Sequence, residues 1–160
     1  MKKIIIIIVA LAVLTGIFFL TYKFWPKKND MTQVKGSQIK YNQIKIGGRE
    51  IKAEVVDNEE SRMKGLSGRE SLCNNCSMLF VFEKPDIYPF WMKEMKFAID
   101  IIWINNHQIV EITRGLPPPT ETGQIASYTP KTAADLVLEV NAGFAAKNQI
   151  KIGDEVKITN

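Results

Sequence analysis

Pro89-Phe90-Trp91-Met92-Lys93-Glu94-Met95-Lys96-Phe97-Ala98-Ile99-Asp100-Ile101-Ile102-Trp103-Ile104 carries the plainest strand pattern of the chain. Two apolar runs, rich in aromatic and β-branched residues, flank a short charged centre, which is the pattern of two strands. Each run carries one misplaced charge, Lys93 in the first and Asp100 in the second. A lone charge costs several kcal/mol to bury, so each needs a partner, a ligand or a route to water. Along a strand successive side chains alternate in direction. Trp91 and Lys93 therefore share one face and Phe90 and Met92 the other, while Asp100, Ile102 and Ile104 oppose Ile99, Ile101 and Trp103. If the two runs are neighbouring strands, Lys93 and Asp100 come within reach of each other.

Outward from this block the pattern stays β. Ile44 and Ile46 alternate with Lys45, Gly47-Gly48 turns the chain, and Ile51, Ala53 and Val55 alternate with Lys52 and Glu54, which predicts a two-residue hairpin. Residues 78–82, 90–92, 98–104, 108–113, 135–140 and 155–159 supply further strands, with turns at Asn105-Asn106 and Gly153-Asp154. Asp57, with Glu60 three residues on, has the spacing of a helix cap, and Gly65 is placed to end that helix. Asn141 is placed to cap a second short helix over 142–147. Neither helix is long enough to cross a parallel sheet. The expected fold is mainly β: a compact, mainly antiparallel sandwich or barrel with two short helices, preceded by one N-terminal transmembrane helix.

That transmembrane helix is read from residues 4–20, which carry no charge and contain only Thr15 and Gly16 as breaks in an apolar run. Seventeen residues span about 25 Å, and adding Thr21 to Trp25 covers a bilayer core. Tyr22 and Trp25 suit the interface and Lys23 can snorkel. A cleaved signal peptide is the rival. The bulky residues 18–25 offer no cleavage site, and Ala10-Leu11-Ala12 would leave too short an apolar stretch, so the segment reads as an uncleaved anchor. Lysines on both sides leave its orientation undecided by charge counting. The domains expected are an anchor at 1–28, a polar tether at 29–38 and one β domain at 39–160.

The chain holds 21 Lys+Arg and 17 Asp+Glu. Five of the basic residues (Lys2, Lys3, Lys23, Lys27, Lys28) flank the anchor, leaving 16 against 17 beyond it, a net of −1. A near-neutral body with dispersed charge gives no electrostatic case for nucleic acid.

Glu60 to Arg69, Met78 to Phe82, Phe90-Trp91-Met92-Lys93, Ile99-Asp100, Leu136 to Val140 and Ile150 to Asp154, in this order and separation, resemble the bacterial and archaeal family called domain of unknown function 192. The resemblance covers roughly residues 41–159 and implies a small, mainly β single domain, often behind an export signal or membrane anchor. It carries no established activity. Ser67 replaces the Met common after Gly-Leu, and the Cys73-Asn74-Asn75-Cys76 loop replaces acidic residues and Gly.

Two readings of the charged pair stay open. Asp100 either satisfies Lys93 or Arg69 as a structural ion pair, or these residues form a concave site. In the second case Trp91 is an apolar wall, Lys93 and Arg69 receive an anion, and Thr120 and Tyr128 form the rim. Cys73 and Cys76 suit a local disulfide outside the cytoplasm. A redox pair wants a helix start where a β run follows, and zinc wants four ligands where the chain offers two Cys and one His. His107 reads as a solvated turn residue, and Met63, Met78, Met92 and Met95 as core more than a copper site. No metal or cofactor is expected.

The function expected from sequence is a membrane-anchored extracytoplasmic β domain at the cell envelope, binding a small anionic or carbohydrate ligand or an envelope protein. The alternative is an envelope enzyme acting on a carbohydrate or small anion through Asp100, Lys93 and Arg69. A purely scaffolding module is a third possibility.

Overall fold

The structure is a computed structural model that describes residues 40–120 and 125–159; the expected anchor and the tether lie outside them. Strands β1 (Lys40–Ile46) and β2 (Arg49–Val56) are joined through Gly47-Gly48. Both glycines have positive φ (54° and 72°), the twist a two-residue hairpin needs. Helix α1 (Glu59–Lys64) follows, then β3 (Cys76–Asp86), β4 (Phe90–Trp91), β5 (Ile99–Asn105), β6 (Gln108–Leu116), β7 (Ser127–Tyr128) and β8 (Ala134–Asn141). Helix α2 (Phe144–Lys147) and β9 (Lys157–Thr159) complete the chain.

Seven strands form one sheet in the order β6-β5-β8-β3-β2-β1-β9, while β4 and β7 pair separately as a short ribbon. The sheet is antiparallel except between β2 and β3. That parallel pair corrects the expectation drawn from the shortness of α1. The whole segment 57–75, loops included, makes the crossover, so helix length alone was the wrong criterion.

The sheet curls until its two edge regions touch at one corner. His107 O and Ile109 O accept from Val156 N and Gly153 N at 2.8 Å each, and Asp154 O accepts from Ile109 N at 3.0 Å. An isolated bridge joins Gln108 to Glu155. No continuous ladder follows, so the sheet is not closed into a barrel, nor is it a pair of packed sheets. β9 is shorter than its sequence pattern because residues 153–156 are drawn into this corner.

Alternation along the central strands feeds two cores. Ile102, Ile104, Leu138 and Val140 join Ile44, Ile46, Ile51 and Val156 inside the curl. Ile99, Ile101, Trp103 and Val137 join Met78, Phe80, Leu66, Met92 and Met95 on the other face. β5 is therefore buried on both faces, and Asp100 is its one charged residue.

Local signals are displaced by a residue or two. α1 is capped by Asn58, whose side chain accepts from Ser61 N at 2.9 Å, one residue after the expected Asp57. The cap of α2 is Gly143, while Asn141 instead donates from Nδ2 to the carbonyls of Leu72 and Cys73 at 3.0 Å each. The β5–β6 turn is Asn106-His107, both at positive φ. Among the described residues no helix is long and apolar enough to cross a membrane.

Candidate functional site

The two charges that opened the reading do not meet. β4 pairs with β7, not with β5. Lys93 lies just past β4, exposed, with Nζ 3.9 Å from Glu94 Oε1. Asp100 is fully buried and spends its carboxylate on backbone. Oδ1 accepts from Gly115 N (2.8 Å) and Gly143 N (3.1 Å), and Oδ2 accepts from Ala145 N (3.0 Å). Those bonds tie β5 to the end of β6 and to α2, so Asp100 is a structural carboxylate. Arg69 turns to another acid, with Nη2 2.8 Å from Glu54 Oε1. Thr120 is exposed in the loop after β6. Tyr128 sits opposite Phe90 in the small ribbon and packs against the second core.

Of the six residues expected from sequence to form a ligand site, Trp91 alone lines the cavity that the fold creates on this face. That cavity, about 210 Å³, lies between α1, β3, the 88–91 segment and β8. Phe80 and Phe82 come from β3, Tyr88, Phe90 and Trp91 from the following segment, and Met63, Leu66 and Met95 complete the apolar lining. Phe82 and Tyr88 stack at 3.7 Å between centroids, and Phe90 meets Phe80 and Trp103 edge-on at 4.8 and 5.2 Å. These edge-on contacts hold the rings in fixed orientations. Gly65, at φ 48°, lets the chain leave α1 over Phe80, where an added Cβ would sit 3.4 Å from the ring. The mouth keeps two large apolar side chains in water, Trp91 at 47% and Met63 at 59% exposure.

One ionisable group reaches this lining from the sheet. Glu139 of β8 is only 5% exposed, and its Oε2 has no hydrogen-bond partner. Burial raises its pKa from 4.5 to about 8, with the Arg69 cation pulling in the opposite direction. The register explains the neighbourhood: Met78 of β3 lies between Glu54 of β2 and Glu139 of β8, so Arg69, held by Glu54, stands close to both acids. Arg62 is committed elsewhere, donating from Nη1 to Val81 O at 2.8 Å and covering the Phe82 ring. Burial thus favours the protonated carboxyl, which is a hydrogen-bond donor beside an apolar hollow.

Sequence reasoning missed Glu139, although its signal was the one used for Asp100: a single acid inside the apolar run Leu136-Val137-Leu138-Glu139-Val140. Cys73 and Cys76 are bonded to each other in the loop before β3, away from the cavity, with Cα atoms 5.0 Å apart. Among the described residues no cluster of three or more His, Cys, Asp or Glu is placed to hold a metal.

Fold and site together define a small, mainly β domain with one curled sheet and an aromatic cavity on its outer face. The chain belongs to the DUF192 family, described as uncharacterized ACR, whose profile matches residues 42–158. It is similar in structure to a transcription-regulator candidate from Sinorhizobium meliloti 1021, at 23% identity and a TM-score of 0.68, covering 75% of this chain and 95% of that one. It is also similar to a protein of unknown function from Novosphingobium aromaticivorans, at 27% identity and a TM-score of 0.65, covering 78% and 89%. No match was found among curated proteins.

Proposed function

We propose that this protein is a membrane-anchored binding module at the cell envelope, and that its aromatic cavity receives a small ring-bearing ligand. The observation that carries the reading is an open apolar hollow lined in part by Glu139, a buried acid with one carboxyl oxygen lacking a partner. Buried polar atoms are normally satisfied, and convergent polar groups in an apolar cavity are the usual mark of a ligand site. The site moves from the Lys93–Asp100 pair to Glu139, with Trp91 retained as a wall. Methyl shifts of Met63 and Met95, followed by NMR while ring-containing fragments are added to the full chain in lipid nanodiscs, test it. Silence of both methyls across the panel rejects a binding site here.

An enzyme is a second reading, favoured by the contrast between Glu139, held protonated by burial, and Glu54, paired with Arg69. A buried acid kept protonated near a second acid held by a cation is an arrangement that general acid catalysis uses. Turnover of an envelope carbohydrate that is lost in Glu139→Gln would favour this reading over binding alone.

The anchor and location rest on the apolar run at residues 4–20 and its interfacial aromatics. Retention of the chain in membranes after carbonate washing, together with digestion of its body by protease added to spheroplasts, is the expected result. Release by carbonate removes the anchor, and protection from protease removes the outer location. In an oxidising compartment the Cys73–Cys76 bond persists, and mass spectrometry of the alkylated protein reads it directly.

A further inference from the structure

We infer that the cavity selects small uncharged ring compounds that present a carbonyl or ether oxygen to the Glu139 carboxyl, and discriminates against ligands that place an ionised group there. The inference rests on the reading of the cavity as a binding site and assigns the ligand chemistry of that site.

Its ground is the placement of the charged groups. Glu139 Oε2 is buried and unpartnered, and Glu139 shares the cavity lining with Phe80, Phe90 and Met95. Its neighbours across β3 and β5, Met78 and Ile101, are uncharged. Arg69 is engaged by Glu54, and Arg62 by a backbone carbonyl and a ring. Glu59 and Lys64 bring opposite charges from α1, and the Tyr88 hydroxyl donates to Lys84 O. Arg62 and Arg69 are therefore committed, and Lys64 is exposed to solvent, so the desolvation of a ligand carboxylate set against the buried Glu139 carboxyl would go uncompensated. A ligand ammonium would have to displace the Glu139 proton and then lie near Arg62 and Arg69. A neutral acceptor needs neither change, because it takes the hydrogen bond that the protonated carboxyl already offers.

Ionisation of Glu139 converts that donor into an acceptor. Affinity for a neutral acceptor is steady below neutrality and falls about tenfold per pH unit above about pH 8.

The test uses the full chain in lipid nanodiscs with labelled methionine methyls and three probes of one ring size: acetophenone, benzoate and benzylammonium. Near pH 6.5, acetophenone is expected to bind about tenfold or more tightly than either ion. Its affinity in the wild type then falls with the alkaline slope above. In Glu139→Gln affinity is reduced but no longer changes with pH, and in Glu139→Leu it is lost. Equal or tighter binding of an ion, or a common pH profile for wild type and Glu139→Gln, overturns the selectivity while leaving the cavity a binding site. If no probe moves the Met63 or Met95 methyls, the binding-site reading fails and the inference falls with it.

Discussion

Replacing Glu139 by Gln should flatten the pH dependence of stability, and the sign follows from the direction of the shift. The folded protein holds the carboxyl protonated well past its ordinary range, from 4.5 up to about 8. Between those values the unfolded chain releases the proton and the folded one keeps it, so stability falls as pH rises. Each unit corresponds to about 1.4 kcal/mol, giving a loss of about 5 kcal/mol across the window. The stabilising side is fully present below about pH 4.5, and the loss is complete a little above pH 8. Against a total stability of roughly 5–15 kcal/mol this is a large fraction. Gln preserves size and polarity but cannot titrate. Urea unfolding of wild type and Glu139→Gln, followed by near-ultraviolet circular dichroism from about pH 5 to about pH 8, gives the difference directly. The wild type should lose about 1.4 kcal/mol per unit relative to the variant. Parallel pH profiles would refute the claim that burial without a hydrogen-bond partner governs this group.

Asp100→Ala strips three buried or half-buried backbone amides of their acceptor and should cost about 3 kcal/mol or more in urea unfolding; a loss under about 1 kcal/mol would contradict the structural role. Gly47→Ala places a Cβ 2.8 Å from Ile150 Cγ1, whereas Gly48→Ala meets nothing within 4 Å at a similar positive φ. The first should therefore be the more damaging by about 1–3 kcal/mol, and equal melting temperatures would show that the contact relaxes freely. Lys93→Ala removes a half-exposed ion pair and should change stability by no more than about 0.5 kcal/mol, so a larger loss would mean Lys93 has a partner the structure does not assign.

The hairpin around Gly47-Gly48 was legible because its cause is local: two glycines free to take positive φ between alternating strands. The helix ended by Gly65 was legible to within one residue for the same reason, although Asn58 rather than Asp57 won the cap by pairing with Ser61. The partners of Asp100 were not legible. Its acceptor oxygens go to amides at residues 115, 143 and 145, groups present at every position in the chain and so silent in the sequence. Lys93 and Asp100 looked like partners because their runs are adjacent along the chain. The residues between those runs instead let β4 leave the main sheet and pair with β7.

From the sequence by itself came the mainly β class, the family, the alternation that divides the strands between faces, and Trp91 as an apolar surface. These depend on period, turn chemistry and short motifs, all written within a few residues. The tertiary structure decided which strands neighbour one another, that β2 and β3 run parallel, and that the sheet curls without closing. It also chose Glu139 over Asp100 as the ionisable group at the cavity. Both are lone acids in apolar strands, and what separates them is whether folding brings donors to the carboxylate. Three amides converge on Asp100, whereas Glu139 keeps an oxygen with none, so desolvation outweighs the pull of Arg69.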